Sequence, residues 1–354
     1  MANIYFMTGF PGFLATKMVE YISEQEPKST FYLLVHPSQV EKADTVVKQF
    51  EENSRFTILQ GDITKENLGL KGIELDRVTH VFHFAAIYDL AVALEVAELV
   101  NVTGTERVLN WLETLPSLKR FVYFSTAYVS GDRVGTVYED ELVEGQGFKN
   151  HYESTKYEAE ILVQGKMESI PTTIIRPGIV VGHSQTGETV KFDGPYFIMR
   201  FLDKFSRLPI PYIGHGRVPV YLVPVDYILE AVYHFTHLEK SEGKVYHLTD
   251  PNPSEARALY KEIVGHLLNK QPTWFLPTSF VSGMLRISKF RRWVQVERET
   301  IDYFQCETYY DTTNTINDLQ GSGIECPTFN EYAGNIVKYY KEARHDQDKA
   351  VPVK

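Results

Sequence analysis

Tyr152 stands four residues before Lys156, in the run His151-Tyr152-Glu153-Ser154-Thr155-Lys156. The flanking Tyr157, Ala159, Ile161 and Leu162 read as a helix, which puts both side chains on one face, one turn apart. A phenol is a poor acid or base at neutral pH, because its reference pKa lies near ~10. A lysine ammonium one turn away favours the phenolate and draws that pKa toward the working range. Tyrosine and lysine are common, and the same spacing also describes an ordinary solvated helix face. The pair gains meaning only from the elements around it.

Residues Asn3 to Met7 read as a short buried strand, continuous, apolar and aromatic. Thr8-Gly9-Phe10-Pro11-Gly12-Phe13-Leu14-Ala15 follows, then a helical pattern through Ile22. Strand, glycine turn and helix are the context that a dinucleotide-binding fingerprint requires. Gly9 permits the tight turn, and Gly12, after Pro11, lets the backbone approach a pyrophosphate. The helix start at Phe13 and Leu14 offers N–H donors and the positive end of a dipole. The third small position is Ala15. An ordinary strand-to-helix turn shares these features.

A second strand, Phe31 to Val35, ends in Val35-His36-Pro37-Ser38, with Lys42 further on. No carboxylate stands where an NAD-selective site binds the ribose hydroxyls. That tilts the expectation toward NADP, whose 2′-phosphate suits His36, Ser38 or Lys42, with NAD as the alternative.

Further strand-like runs are Phe56 to Gln60, His80 to Phe84, Arg120 to Phe124 and Thr172 to Ile175. Helical patterns at about Val40 to Asn53, Leu90 to Leu115 and Tyr152 to Met167 lie between them. The alternation predicts an α/β fold: a Rossmann-type doubly wound parallel sheet, with a smaller, mostly helical C-terminal substrate lobe. Ligands of such sheets sit beyond the carboxyl ends of the strands. Those ends carry Gly9, Asp62, Ala85, Ala86, Ser125 and Thr126. The expected division is a nucleotide-binding domain over 1–190, its sheet completed by parts of 218–250. The substrate lobe takes 191–217 and 251–345, and 346–354 forms a flexible tail.

Taken together, these segments resemble the extended short-chain dehydrogenase/reductases. The resemblance rests on Thr8-Gly9-x-x-Gly12-Phe13-x-Ala15, Gly61-Asp62-Ile63-Thr64, His83-Phe84-Ala85-Ala86 and Asn101-Val102-x-Gly104-Thr105. It continues through Phe124-Ser125-Thr126-Ala127-Tyr128, the Tyr152/Lys156 pair, Arg176-Pro177-Gly178 and Val225-Asp226. Ala86-Ile87-Tyr88-Asp89-Leu90, Ser125 to Val129 and Gly147 to Glu160 look most like the thioester-reductase and fatty acyl-CoA reductase branch. Sugar epimerases and dehydratases share the early motifs and match less well here. Phe304 to Asp311 and Ile324-Glu325-Cys326-Pro327 extend the likeness less sharply.

The resemblance implies an NADPH-dependent reduction of an acyl thioester to an aldehyde, sometimes onward to an alcohol. It implies Thr126, Tyr152 and Lys156 as the catalytic set, with Ser125 as the alternative to Thr126. Asp62 and Ile63 would contact adenine, and Ala85 and Ala86 the ribose side. Pro177, Gly178 and Val180 would flank the nicotinamide, and Asn101 would support the proton relay. His36 stands where a firmer cofactor-selecting residue is often found. Coenzyme A or an acyl carrier protein would present the substrate, and related enzymes often dimerise through the helices before and at the Tyr152/Lys156 pair. A ketone or aldehyde reductase or alcohol dehydrogenase with the same three residues is the main rival. A nucleotide-sugar epimerase and a non-catalytic NADP-sensing protein are lesser ones.

The composition fits this reading. The chain has 354 residues, 43% of them hydrophobic, which is ample for a large core. A net charge of −10 argues against a nucleic-acid partner. No signal peptide precedes the first strand, and no apolar run reaches ~18 residues, so a cytoplasmic chain without a spanning helix is expected. Cys306 and Cys326 suggest free thiols, or one disulfide. The histidines are scattered singly, and His80 and His83 read as packed rather than metal-ligating.

Two further segments carry double readings. Arg286, Lys289, Arg291, Arg292 and Arg298 lie beside Phe280, Met284, Leu285, Phe290 and Trp293. They form either a solvated helix face or a rim for coenzyme A, a carrier protein or a membrane. The aromatic stretch Phe192 to Arg217, with Phe275 to Leu285, lines an acyl tunnel or simply fills the core.

Overall fold

The computed structural model describes residues 2–88, 92–214, 216–287, 289, 293–294, 307–346 and 349. Asp89, Leu90, Phe290, Arg291, Arg292, Arg298, Phe304, Cys306 and 350–354 fall outside the described residues.

A parallel sheet of seven strands organises the chain. In chain order its strands begin with β1 (Ile4–Thr8), β2 (Thr30–Val35), β3 (Phe56–Gln60), β4 (His80–His83) and β5 (Arg120–Phe124). After a short β6 (Gly135–Val137) come β7 (Thr172–Pro177), the small strands β8 (Ile179–Val181), β9 (Pro211–Ile213), β10 (Pro219–Val220) and β11 (Leu222–Pro224), and then β12 (Lys244–Leu248). The order across the sheet is β12-β7-β5-β4-β1-β2-β3. Every residue of β5 and β7 is buried, as strands covered by helices on both faces require. The order reverses between β1 and β4, where Thr8 pairs with His83 at the carboxyl ends. That switch point opens the crevice.

Helices cover both faces, and their apolar stripes explain why. Helix α1 (Phe13–Gln25) presents Ala15, Met18, Val19 and Ile22 to one face, at spacings of three and four. After α2 (Val40–Val47) come α3 (Leu94–Ala97), a π-helical turn over Glu98–Thr103 and α4 (Gly104–Leu112). Helix α4 packs Val108, Leu109, Trp111 and Leu112 on the opposite face, beside Ala159 and Val163 of α5 (His151–Gln164). The smaller lobe has its own core. There α6 (Tyr196–Lys204), α8 (Ala256–Leu268) and the helix Phe329–Ala343 meet through Met199, Leu202, Leu259, Ile263, Tyr332 and Ile336. Between them α7 (Val225–His237) returns to the sheet.

Boundaries differ from the sequence reading in places. The helix expected from Val40 to Asn53 stops at Val47. The one expected from Leu90 begins, among the described residues, at Leu94. Lys349, assigned by sequence to a flexible tail, is pinned: its carbonyl accepts from Phe192 N–H at 2.9 Å and its ammonium donates to the Thr189 carbonyl at 2.8 Å. Cys326 is a free, half-buried thiol.

Candidate active site

Glycine is required at the turn after β1. Gly9 has φ +83°, and a Cβ there would sit 2.8 Å from the Ala85 amide nitrogen. A Cβ on Gly12 would sit 2.7 Å from the Gly9 carbonyl oxygen, which already accepts the Gly12 N–H at 2.8 Å. No side chain caps α1 at Gly12. Its first-turn N–H groups are therefore left facing the crevice, where a phosphate would complete them. Thr8 braces the turn: its hydroxyl accepts the Ala85 N–H at 3.1 Å and contacts His83 Nδ1 at 2.7 Å. His83 Nε2 meets the Thr105 hydroxyl at 3.1 Å. Burial pushes the His83 imidazole down to about 3, so it is a neutral packing group.

Tyr152 and Lys156 lie on the first two turns of α5, whose N-cap Asn150 accepts the Glu153 N–H at 3.0 Å. Burial raises the Tyr152 phenol well above its ordinary value, while a hydrogen bond with Thr126 pulls the other way. Tyr88 packs edge-on against the Tyr152 ring, centroids 5.0 Å apart. Lys156 is buried, and its ammonium donates to the Phe124 carbonyl at 2.6 Å and the Tyr123 hydroxyl at 2.9 Å. Desolvation lowers the Lys156 amine to about 7, against a smaller opposing pull from Glu160. In this state burial, not the lysine charge, therefore dominates the phenol.

Ser125 and Thr126 follow β5 directly, yet their hydroxyls have separate uses. Ser125 Oγ donates to Glu160 Oε2, whose other oxygen lies 2.6 Å from Arg176 Nη2. Both members of that ion pair are fully buried. Arg176 also donates to the Glu141 carbonyl at 2.9 Å and lies 3.2 Å from His247 Nε2. Thr126 instead turns toward Tyr152 and accepts the Tyr128 N–H at 3.3 Å. Asn101, on the π-helical turn, accepts the Ile87 N–H at 2.8 Å and donates to Thr155 Oγ1 at 3.0 Å.

One cavity of about 1020 Å³ collects most of these groups. Of the sequence candidates, Gly9, Pro11, Gly12, Phe13, Leu14, Ala85, Ala86, Ser125, Thr126, Tyr152, Lys156, Pro177, Gly178 and Val180 line it. His36, Asp62 and Ile63 do not. His36 is exposed and bonded to Ser38 Oγ at 2.8 Å. Asp62 Oδ1 accepts from the Thr64 amide and hydroxyl at 2.9 and 2.8 Å. Ile63 packs into the notch left by Gly104. The cavity also takes in Lys17, Lys42, Tyr88, Lys191, Asp193, Asp346 and Lys349. Most of these sit on connections that carry no periodic signal. Of the aromatic stretch, Phe197 reaches the cavity, whereas Phe192, Tyr196 and Met199 fill the lobe core.

The family profile described as "Male sterility protein", an NAD-binding domain, matches residues 7–232. The chain belongs to the male sterility protein family. Within it the chain is similar to the putative fatty acyl-CoA reductase CG8303 of Drosophila melanogaster, 25% identical over 276 residues. That match covers 64% of this chain and 50% of the relative. It is also similar to the alcohol-forming fatty acyl-CoA reductase of Simmondsia chinensis, 26% identical over 363 residues, covering 77% of this chain and 71% of the relative. The chain spans 50% and 58% of the two fly reductases CG8303 and CG8306. Among solved structures, the terminal R domain from the myxalamid PKS-NRPS pathway aligns with TM-score 0.80 at 22% identity, over 98% of this chain and 92% of that one. UDP-glucuronic acid 4-epimerase from Bacillus cereus, in complex with NAD, aligns with TM-score 0.67 at 17% identity, over 96% and 99% of the two chains. The fold of this male sterility family member is thus that of the extended short-chain dehydrogenase/reductases.

Proposed function

We propose that this chain reduces acyl thioesters to aldehydes with NADPH. The observation that carries the reading is the convergence of Thr126, Tyr152 and Lys156 on the same cavity that Gly9 and Gly12 open at its phosphate end. The names of the reductase relatives support the thioester as substrate class.

The nicotinamide would supply the hydride; the protein supplies position and charge. Gly9 to Leu14 would hold the pyrophosphate, and Pro177, Gly178 and Val180 the nicotinamide end. Lys42 lines the cavity, and no carboxylate occupies the end of β2, which supports NADP over NAD. Thr126 donates a hydrogen bond to the thioester oxygen. Its raised pKa keeps Tyr152 protonated until charge develops on that oxygen, and Tyr152 then gives up its proton there. Lys156 holds the ribose and stabilises the resulting phenolate. The tetrahedral hemithioacetal then breaks its carbon–sulfur bond: the hydroxyl proton returns to Tyr152, the thiol leaves protonated, and the aldehyde remains. One proton is taken from solvent per hydride transferred.

A panel of acyl-CoAs and simple carbonyl compounds, offered with NADPH and with NADH, tests the reading through cofactor oxidation and free thiol together. Equal amounts of thiol and oxidised cofactor are expected. Oxidation on ketones without thiol release would replace it with a carbonyl reductase.

A further inference from the structure

The lobe that closes the cavity also carries a surface unlike the rest of the chain. Residues 263–296 hold Lys270, Arg286 and Lys289, with Arg291 and Arg292 outside the described residues, and no aspartate or glutamate, in a chain whose net charge is −10. The same segment holds two of the three tryptophans, Trp274 and Trp293. Trp274, Phe275, Phe280, Ile287 and Trp293 are between 47% and 59% exposed. Single exposed hydrophobic residues are ordinary, whereas five bulky ones within twenty residues are not.

The elements that carry them meet on a shared core of Val281, Val294 and Phe197, with Leu276 packed against it. Strand Trp274–Leu276 pairs in parallel with β9, setting Phe275 beside Tyr212. Their rings stack at 5.4 Å, and the exposed Arg257 guanidinium lies 4.3 Å from the Tyr212 centroid and 4.9 Å from that of Phe275. Helix α9 (Thr278–Leu285) follows at once, carrying Phe280 outward and Val281 inward. Val281 packs with Val294 and Phe197, and Trp293 sits edge-on to Phe205 at 5.5 Å. Phe197 is itself a wall of the cavity. The segment that carries these exposed side chains therefore also packs against a wall of the site. Arg286 and Lys289 are exposed beside it.

We propose that this face docks on an anionic lipid bilayer. Tryptophan and phenylalanine interleaved with arginine and lysine, with no carboxylate between residues 263 and 296, is the composition that rests at the headgroup level. The aromatic rings enter the boundary and the cations meet lipid phosphates and carboxylates. No helix of the described residues is long and apolar enough to cross a membrane. An acidic protein would also meet the cations, but the apolar groups come from three separate elements rather than lining one groove for a partner helix.

Flotation of the full chain with phosphatidylcholine vesicles, with and without phosphatidylserine, tests this. The chain should float with serine-containing vesicles at low salt, and be released by high salt and by pure phosphatidylcholine. Arg286→Gln with Lys289→Gln should weaken partition about fivefold per cation removed. Trp274→Ala with Phe280→Ala should also release it, and turnover of a short, water-soluble thioester should stay unchanged in both pairs. Failure to float with serine-containing vesicles, flotation that neither pair alters, or binding of an acidic carrier domain in place of vesicles would overturn the proposal. Should the aromatic pair misfold, the exposed charge pair still decides. Flotation does not need turnover, so its failure leaves the reductase reading intact.

Discussion

Ser125 and Thr126 are neighbours in the chain whose hydroxyls are spent on different partners, Glu160 for the first and Tyr152 for the second. The division separates support from chemistry. Thr126→Val should lower kcat on thioesters by about 10²-fold or more, the usual cost of losing an oxyanion donor, with little change in unfolding free energy. Ser125→Ala should do the reverse. It leaves a buried carboxylate one donor short, at a cost of about 1–3 kcal/mol, and largely spares kcat. Steady-state rates and urea titrations on both variants check this.

Tyr152→Phe removes the proton donor without altering the ring that Tyr88 packs against. Turnover should fall by at least about 10²–10³, while NADPH still binds with near-normal affinity by fluorescence titration. A variant retaining most of its rate would transfer the proton step to another group.

Lys156 ties the site to pH. Its amine is lowered to about 7, whereas the unfolded chain keeps the ordinary lysine value of 10.5. Between those two values the unfolded state holds a proton that the folded state has released. The stability of the cofactor-free protein should therefore rise with pH through this window, by up to ~1.4 kcal/mol per unit from this group. Lys156→Met should be relatively more stable below pH 7 and lose that advantage as the solution becomes alkaline. Urea midpoints of both proteins across the window measure the difference.

Arg176 and Glu160 are paired with no exposure. Arg176→Met strands the carboxylate in the interior and should cost about 3–5 kcal/mol. Because Glu160 lies one turn beyond Lys156, the loss should also shift the pH profile of the surviving activity. Chemical denaturation, with rates measured on the folded fraction, separates the two effects.

Lys42 is the cation near β2 that reaches the cavity. Lys42→Gln should raise KM for NADPH several-fold and leave NADH nearly unaffected, whereas His36→Ala, outside the cavity wall, should change the ratio less. Parallel saturation curves with the two cofactors decide between these residues.

How far the sequence could be read follows from where the information was periodic. The buried strands and the helix carrying Tyr152 declared themselves through apolar runs and spacing, and Gly9 and Gly12 through the turn they must make. The cavity wall from Lys191 to Pro195, and the return of Lys349 beneath Phe192, lie on irregular backbone whose position is set by distant contacts. The Ser125-Glu160-Arg176 chain had one legible clue, the four-residue step from Lys156 to Glu160 along α5. Its partners from β5 and β7 come together only when the sheet forms. Composition alone does not mark where a helix ends: after Val47 the pattern stays helical, yet Phe50 turns back to pack on Phe56 and Glu52 takes a left-handed backbone.

Asn101 grips the backbone at Ile87 with one end of its amide and Thr155 with the other. The segment leading to Tyr88 and the first turns of α5 are thereby welded into a single piece. Moving the Ile87 backbone to admit a bulkier molecule would therefore pull on the helix that carries Tyr152 and Lys156. Redesign for larger substrates belongs on the facing wall, at Ile179, Pro195 and Phe197, where space can be carved from the other lobe.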